Sequence, residues 1–185
     1  MSDLQILCDE LNALATQSET PMLRQKAEEA FNSRWTGVQV CAARVLAKWG
    51  GRRSVELLKP WVVKWILRED SAMWQIACNI LAECIERQDS DWVLNTYLTI
   101  GYESVGRYAL WRCIAKIRFA VVEERLVRES TSNNRIRRLA TFWFLVGLKK
   151  PQTVRDLMKN FLDDPDPEIL QETKWYIKAE RIGDW

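Results

Sequence analysis

The chemistry open to this chain is limited first by what it lacks. There is no histidine among its 185 residues, which removes the usual general base and the commonest zinc ligand. A Ser-His-Asp or Cys-His catalytic arrangement is therefore excluded. The five cysteines, Cys8, Cys41, Cys78, Cys84 and Cys113, are odd in number and contain no C-x-x-C pair. That usage disfavours a disulfide framework and a four-cysteine metal site, and it points to a reducing compartment. What remains are arginines, lysines and ten tryptophans. Arg52-Arg53, Arg107, Arg112 with Lys116 and Arg118, Arg135 with Arg137 and Arg138, and Lys149-Lys150 mostly fall at expected helix starts and turns. Arginine's forked donors suit phosphate oxygens.

The overall charge of +2 conceals a pattern. Residues 1–33 carry 2 basic and 6 acidic side chains, and residues 161–185 carry 3 and 7, so each end has a net charge of −4. Residues 34–160 carry 22 basic against 12 acidic side chains, a net of +10. A basic centre between acidic ends suits a polyanion such as duplex DNA, whose phosphates dominate affinity. The same charges also suit the solvated faces of ordinary helices. On the polyanion reading, Arg112, Arg135, Arg138, Lys149 and Lys150 are candidate backbone contacts.

These side chains must be carried by helices. In Asp70 to Arg87, Met73, Ile76, Ala77, Ile80, Leu81 and Cys84 recur at three- and four-residue steps, while Gln75, Asn79, Glu83 and Glu86 form a narrow polar stripe. A helix apolar around most of its circumference is packed on more than one side. Trp74 and Cys78 sit one turn apart beside the polar stripe. Further helices are expected at Asp3 to Ala15, from Thr20-Pro21 to about Ser33, at Thr36 to Trp49 and from a Ser54 cap to about Arg68, with Pro60 a possible kink. The rest are expected at Asp91 to Ile100 after a Ser90 cap, Tyr102 to Ile117, Val121 to Glu129, Asn133 to Leu148, Pro151 to Leu162 and Glu168 to Arg181, the last restarting after Asp164-Pro165-Asp166-Pro167.

The helices repeat. Taking Leu46, Leu81, Ile114, Leu145 and Ile177 as equivalent gives intervals of 35, 33, 31 and 32 residues. Such periods mark helical-hairpin arrays, in which no unit buries its apolar face alone. The expected architecture is all-α, a right-handed superhelical stack of antiparallel helix pairs of the HEAT-like or ARM-like kind. It forms a single domain over residues 1–185, with N-terminal helices to residue 35 and repeats from 36 to 180. No run of about 18 apolar residues and no signal-peptide pattern occurs, so a soluble, cytoplasmic protein without a membrane anchor is expected.

Several segments resemble a known family, the bacterial HEAT-like alkylpurine DNA glycosylases of DNA alkylation repair. Val40-Cys41-Ala42-Ala43-Arg44-Val45-Leu46 resembles the family's early repeat helix. Trp74, four residues before Cys78, falls where the family has a Trp-xxx-Asp pair. Arg107-Tyr108-Ala109-Leu110 resembles its Arg-Arg-x-Ala segment, and Ala140-Thr141-Phe142-Trp143-Phe144-Leu145 its late Ala-xx-Trp-x-Leu helix. The resemblance spans roughly residues 36 to 180. It implies a concave groove for duplex DNA carrying alkylated bases, with Trp74, Arg107 and Trp143 as lesion or backbone contacts and no cofactor or metal.

In that family a carboxylate stabilises the cation that develops as the glycosidic bond breaks. Here the position is Cys78. A fixed carboxylate is worth a few kcal/mol, about two or three orders of magnitude in rate, and a thiol that is mostly protonated near neutral pH does not replace it. Glu83, five positions on, points about 140° away on the helix. The resemblance thus implies a DNA-binding repeat protein with glycosylase chemistry weakened, altered or lost, or, as a variant, an active glycosylase that uses some other acidic group. The alternative is a HEAT-repeat scaffold for another protein. Trp74, Trp143 and Cys78 also suit plain core positions, Arg107 a surface pair with Glu103, and Trp49, Trp61, Trp65 and Trp111 packing between layers.

Overall fold

Three of the turns that start helices share one hydrogen-bond pattern. The computed structural model describes residues 2–68, 71–100, 110–116, 119–148 and 152–179. Among these, every regular element is helical and none is a strand. In three turns, the residue three before the first helical residue accepts a hydrogen bond from the amide of the residue that immediately precedes the helix. Ser33 Oγ accepts from Trp35 (3.2 Å), Ser132 Oγ from Asn134 (3.2 Å) and Asp164 Oδ1 from Asp166 (2.9 Å). Short polar side chains favour this local bond, and it stops the preceding helix from continuing. Asn134 and Asp166 then cap the next helix through their own side chains, Asn134 Oδ1 taking the Arg137 amide and Asp166 Oδ1 those of Glu168 and Ile169. In two of the turns a long side chain also reaches back to the same carbonyl position: Gln39 Nε2 donates to Ser33 O and Arg138 Nη1 to Ser132 O.

The chain divides into two compact units, residues 1–85 and 86–185. The first holds α1 (Asp3–Leu14), α2 (Pro21–Phe31), α3 (Thr36–Trp49), α4 (Gly51–Leu67) and α5 (Ser71–Cys84). Helix α3 packs against α1 and α5, while α2 packs on α3, and α4 packs on both α3 and α5. Alternate helices thus lie side by side, and successive helices pack across. Phe31 meets Trp61 edge to face at 5.5 Å and joins α2 to α4. Arg24 of α2 ties the same elements together by donating to Ser54 Oγ (3.2 Å) and to the Gly50 carbonyl (3.4 Å).

The second unit begins with a 3₁₀ turn at Arg87–Asp89, where Glu86 and Asp89 form a reciprocal capping box. It continues with α6 (Ser90–Ile100), α7 (Trp111–Ile114), α8 (Phe119–Ser130), α9 (Arg135–Leu148), α10 (Gln152–Lys159), a 3₁₀ turn at Asn160–Asp163 and α11 (Pro167–Ala179). Helix α9 contacts α6, α7, α8, α10 and α11. Its core is aromatic, with Tyr97 edge-on to Phe144 at 5.4 Å and Phe142 edge-on to Phe161 at 5.7 Å. At Gly147 a Cβ would lie 3.3 Å from the Trp111 ring, so glycine there permits the close approach of α9 and α7.

Four of the five repeat markers occupy one register, while the fifth, Ile114, has the large Leu110 four residues before it. Leu46, Leu81, Leu145 and Ile177 each lie ten residues after the first residue of their helix, Thr36, Ser71, Arg135 and Pro167. Four residues before each stands a small, fully buried side chain: Ala42, Ala77, Thr141 and Thr173. The two threonines satisfy their hydroxyls on the carbonyls of Arg137 and Ile169 one turn earlier, so they can stand where alanine does. Leu46, Leu81, Ile114 and Leu145 are fully buried or nearly so, and Ile177 is half-buried.

Two expected caps are corrected. Ser54 does not start α4, because Gly50 and Gly51 (φ 71° and 74°) turn the chain within two residues and the helix begins at Gly51, leaving Ser54 buried inside it. Ser90 is likewise inside its helix, which the 3₁₀ turn initiates. Most of the expected helix Tyr102 to Ile117 lies outside the described residues.

If the register carries the stability, Leu81→Ala and Leu145→Ala each lower the unfolding free energy by about 2–5 kcal/mol in urea denaturation. Glu83→Ala, on the exposed stripe of the same helix as Leu81, changes it by less than about 0.5 kcal/mol.

Candidate nucleic-acid interface

The candidate contacts fall in different places, and the fold treats them differently. Trp74 and Cys78 lie on α5, in the first unit. Because α4 and α3 both pack on α5, the sides flanking its narrow polar stripe are covered. Trp74 is 8% exposed and Cys78 0%. Glu83 remains exposed and Asn79 half-buried. Trp143 is half-buried on α9, its ring edge-on to Phe142 at 5.3 Å. Arg112 and Lys116 are exposed at and just after α7. Arg107, Arg118, Lys149 and Lys150 lie outside the described residues.

The arginines at the start of α9 are brought together, but around carboxylates of the same chain. Arg138 grips Asp164 with both prongs of its fork, Nε to Oδ2 at 2.8 Å and Nη2 to Oδ1 at 3.0 Å, while Nη1 takes the Ser132 carbonyl at 2.9 Å. The two side chains are only 11% and 2% exposed. That bidentate bond is the first cause holding the Arg138 guanidinium above its ordinary value. Arg135 donates to Asp166 at 2.5 Å and to Glu168. Arg137 pairs with Glu129, a nearly buried carboxylate, at 3.1 Å.

Desolvation pushes the Asp166 carboxyl up, but the Arg135 bond and the amides of Ile169 and Glu168 outweigh it, and the group rests below its ordinary 3.8. Arginines of the first unit are also paired with carboxylates, mostly nearby in the chain. Arg53 meets Glu28 at 2.5 Å, Arg52 pairs with Glu56, and Arg24 bonds to Glu19, holding that carboxyl below its ordinary 4.5.

The acidic partners were the part of the site that sequence spacing did not expose. They sit 26 to 33 residues from the Arg138 and Arg135 they hold, about one repeat period away. The Asp-Pro-Asp-Pro segment was legible as a turn, and a one-repeat offset from Arg135-Ile136-Arg137-Arg138 was the available signal that it also carried partners. Among the described residues, no group of three or more Cys, Asp or Glu side chains is placed to hold a metal ion, and no helix is long and apolar enough to cross a membrane.

Among the described residues, fold and site together define an all-helical protein whose helices pack against one another, with the arginines clustered at the start of α9 held by carboxylates of the same chain. The chain matches no family model and no curated protein.

Arg138→Ala leaves the Asp164 carboxylate buried without its cation and lowers stability by about 2–3 kcal/mol in urea denaturation, whereas Arg112→Ala, at an exposed site, shifts it by less than about 0.5 kcal/mol. The Asp166 carboxyl is depressed in the folded state, so its contribution is complete above the ordinary value of 3.8 and disappears as pH falls through the lowered one. Stability measured between pH 6 and pH 3 therefore falls most steeply below about pH 4. Asp166→Asn, which keeps the helix cap but removes the charge, flattens that slope.

Proposed function

We propose that the chain is a HEAT-like helical-repeat scaffold that binds another protein and carries no glycosidase chemistry of its own, its hairpins continuing in a right-handed superhelical stack. One observation carries this reading: Arg135, Arg137 and Arg138, the densest basic cluster described, are each committed to carboxylates of the same chain. A phosphate backbone would have to displace those partners, two of which are nearly buried. The burial of Cys78 and Trp74 supports it further, because a side chain covered on the sides flanking its stripe does not reach a base in a duplex. Repeat arrays commonly serve as extended protein-binding surfaces, a warrant from architecture alone.

Duplex DNA is the second reading. It is favoured by the net +10 of residues 34–160 and by the exposure of Arg112 and Lys116. In that case Trp143, Arg107, Lys149 and Lys150 join Arg112 along the backbone.

Fluorescence anisotropy with a short labelled duplex, plain and methylated, separates the two when salt is raised from about 50 to 200 mM. The scaffold reading predicts non-specific affinity, weaker than about 10⁻⁶ M at physiological salt and equal for the two duplexes, with no release of methylated bases. Tight or lesion-selective binding, or base release, overturns it.

A further inference from the structure

A groove of about 440 Å³ opens on the first unit between the end of α2, the start of α3 and the middle of α4. Phe31, Leu57, Pro60 and Trp61 give it apolar walls, and the exposed Glu56 and Lys64 also line it. The walls are held in place. Phe31 and Trp61 meet edge to face at 5.5 Å, Trp61 Nε1 donates to Gln39 Oε1 at 3.3 Å, and Gln39 Nε2 donates to the Ser33 carbonyl at 2.5 Å. Walls fixed in advance lower the ordering cost of binding.

Two features define what fits there. Pro60 lies inside α4 and has no amide hydrogen, so the carbonyl of Glu56, one turn earlier, receives no helix hydrogen bond from it. An interior proline destabilises a helix, and this one stands exposed on the groove wall. The second feature is charge. The Glu56 carboxylate accepts from Lys59 at 3.1 Å and pairs with Arg52, so one negative charge faces two cations. Lys64, one turn beyond Pro60, adds a third, its ammonium 5.8 Å from the centroid of the Trp65 ring.

An apolar slot, a backbone acceptor and an excess of positive charge match an aromatic side chain, a main-chain amide and a carboxylate. A helical segment uses its amides internally, whereas an extended one offers them. Building on the reading of the chain as a protein-binding scaffold, we propose that this groove takes a short, extended, acidic segment of the partner protein. Its aromatic side chain rests against Phe31, Pro60 and Trp61, an Asp or Glu beside it faces Lys64, and a main-chain N–H donates to the Glu56 carbonyl.

The test is fluorescence anisotropy of the full chain with the fluorescein-labelled peptide Glu-Asp-Trp-Asp-Glu, beside analogues carrying Lys for every acid or Ala for Trp. The wild type binds the first peptide saturably and both analogues about 10-fold more weakly or worse. Lys64→Glu weakens binding about 5- to 10-fold and reduces its salt dependence. Pro60→Ala restores an amide that takes up the Glu56 carbonyl, so binding weakens about 3- to 10-fold while Tm rises. Weaker binding by a more stable protein separates a lost contact from a folding defect. Absence of saturable binding, equal binding of the Lys analogue, or unchanged affinity in both variants overturns the proposal. Self-association that excludes the peptide also overturns it and assigns the groove to a second copy. If the methylated and plain duplexes still bind weakly and equally, such a result removes this groove and leaves the scaffold reading in place; tight duplex binding removes the scaffold reading itself.

Discussion

Four helices, α3, α5, α9 and α11, share one constraint: a small buried side chain placed four residues before a large aliphatic one. Ala42 with Leu46 and Ala77 with Leu81 have no exposed surface, Thr141 with Leu145 almost none, and Thr173 stands fully buried before the half-buried Ile177. The small residue lets a neighbouring helix approach closely, and the large one fills the space that the approach encloses. Burying one such aliphatic side chain contributes about 1.5–3 kcal/mol. The contribution recurs because the register recurs. Three of these helices, α3, α9 and α11, follow the same turn, in which Ser33, Ser132 and Asp164 accept a backbone hydrogen bond from two residues on.

The charged side chains are arranged around that frame. At the start of α9, Arg138 reaches 26 residues on to Asp164 and Arg135 reaches 31 and 33 residues on to Asp166 and Glu168. A bidentate pair with both partners largely dry fixes geometry as much as it stabilises, because removing either member strands the other. A basic middle segment therefore coexists with a surface on which many of those charges are answered locally. Net charge along the chain and electropositive surface are different quantities here, and they are linked only by where the acidic partners fold back.

Much of the fold was readable in advance because it is local. Apolar steps of three and four, Thr20 before Pro21, and the Asp-Pro-Asp-Pro break mark helices and their ends by mechanisms confined to a few residues, and Thr36–Trp49 matches its expected bounds. Ser54 misled because a serine before an apolar run is a cap signal only when the chain needs a cap, and the two positive-φ glycines had already turned it. The candidate site was far less legible. Trp74 and Cys78 border a polar stripe, which leaves their exposure to be decided by the width of the neighbouring helices.

Native-state hydrogen exchange tests the shared register most directly, because amide protection reports how much of the structure must open around each helix. The account predicts that the strongest protection falls in 42–46, 77–81, 141–145 and 173–177, above that of α2 in the first unit and α8 in the second. Equal protection along all helices, or earlier exchange at these four segments than at α2 and α8, would contradict it.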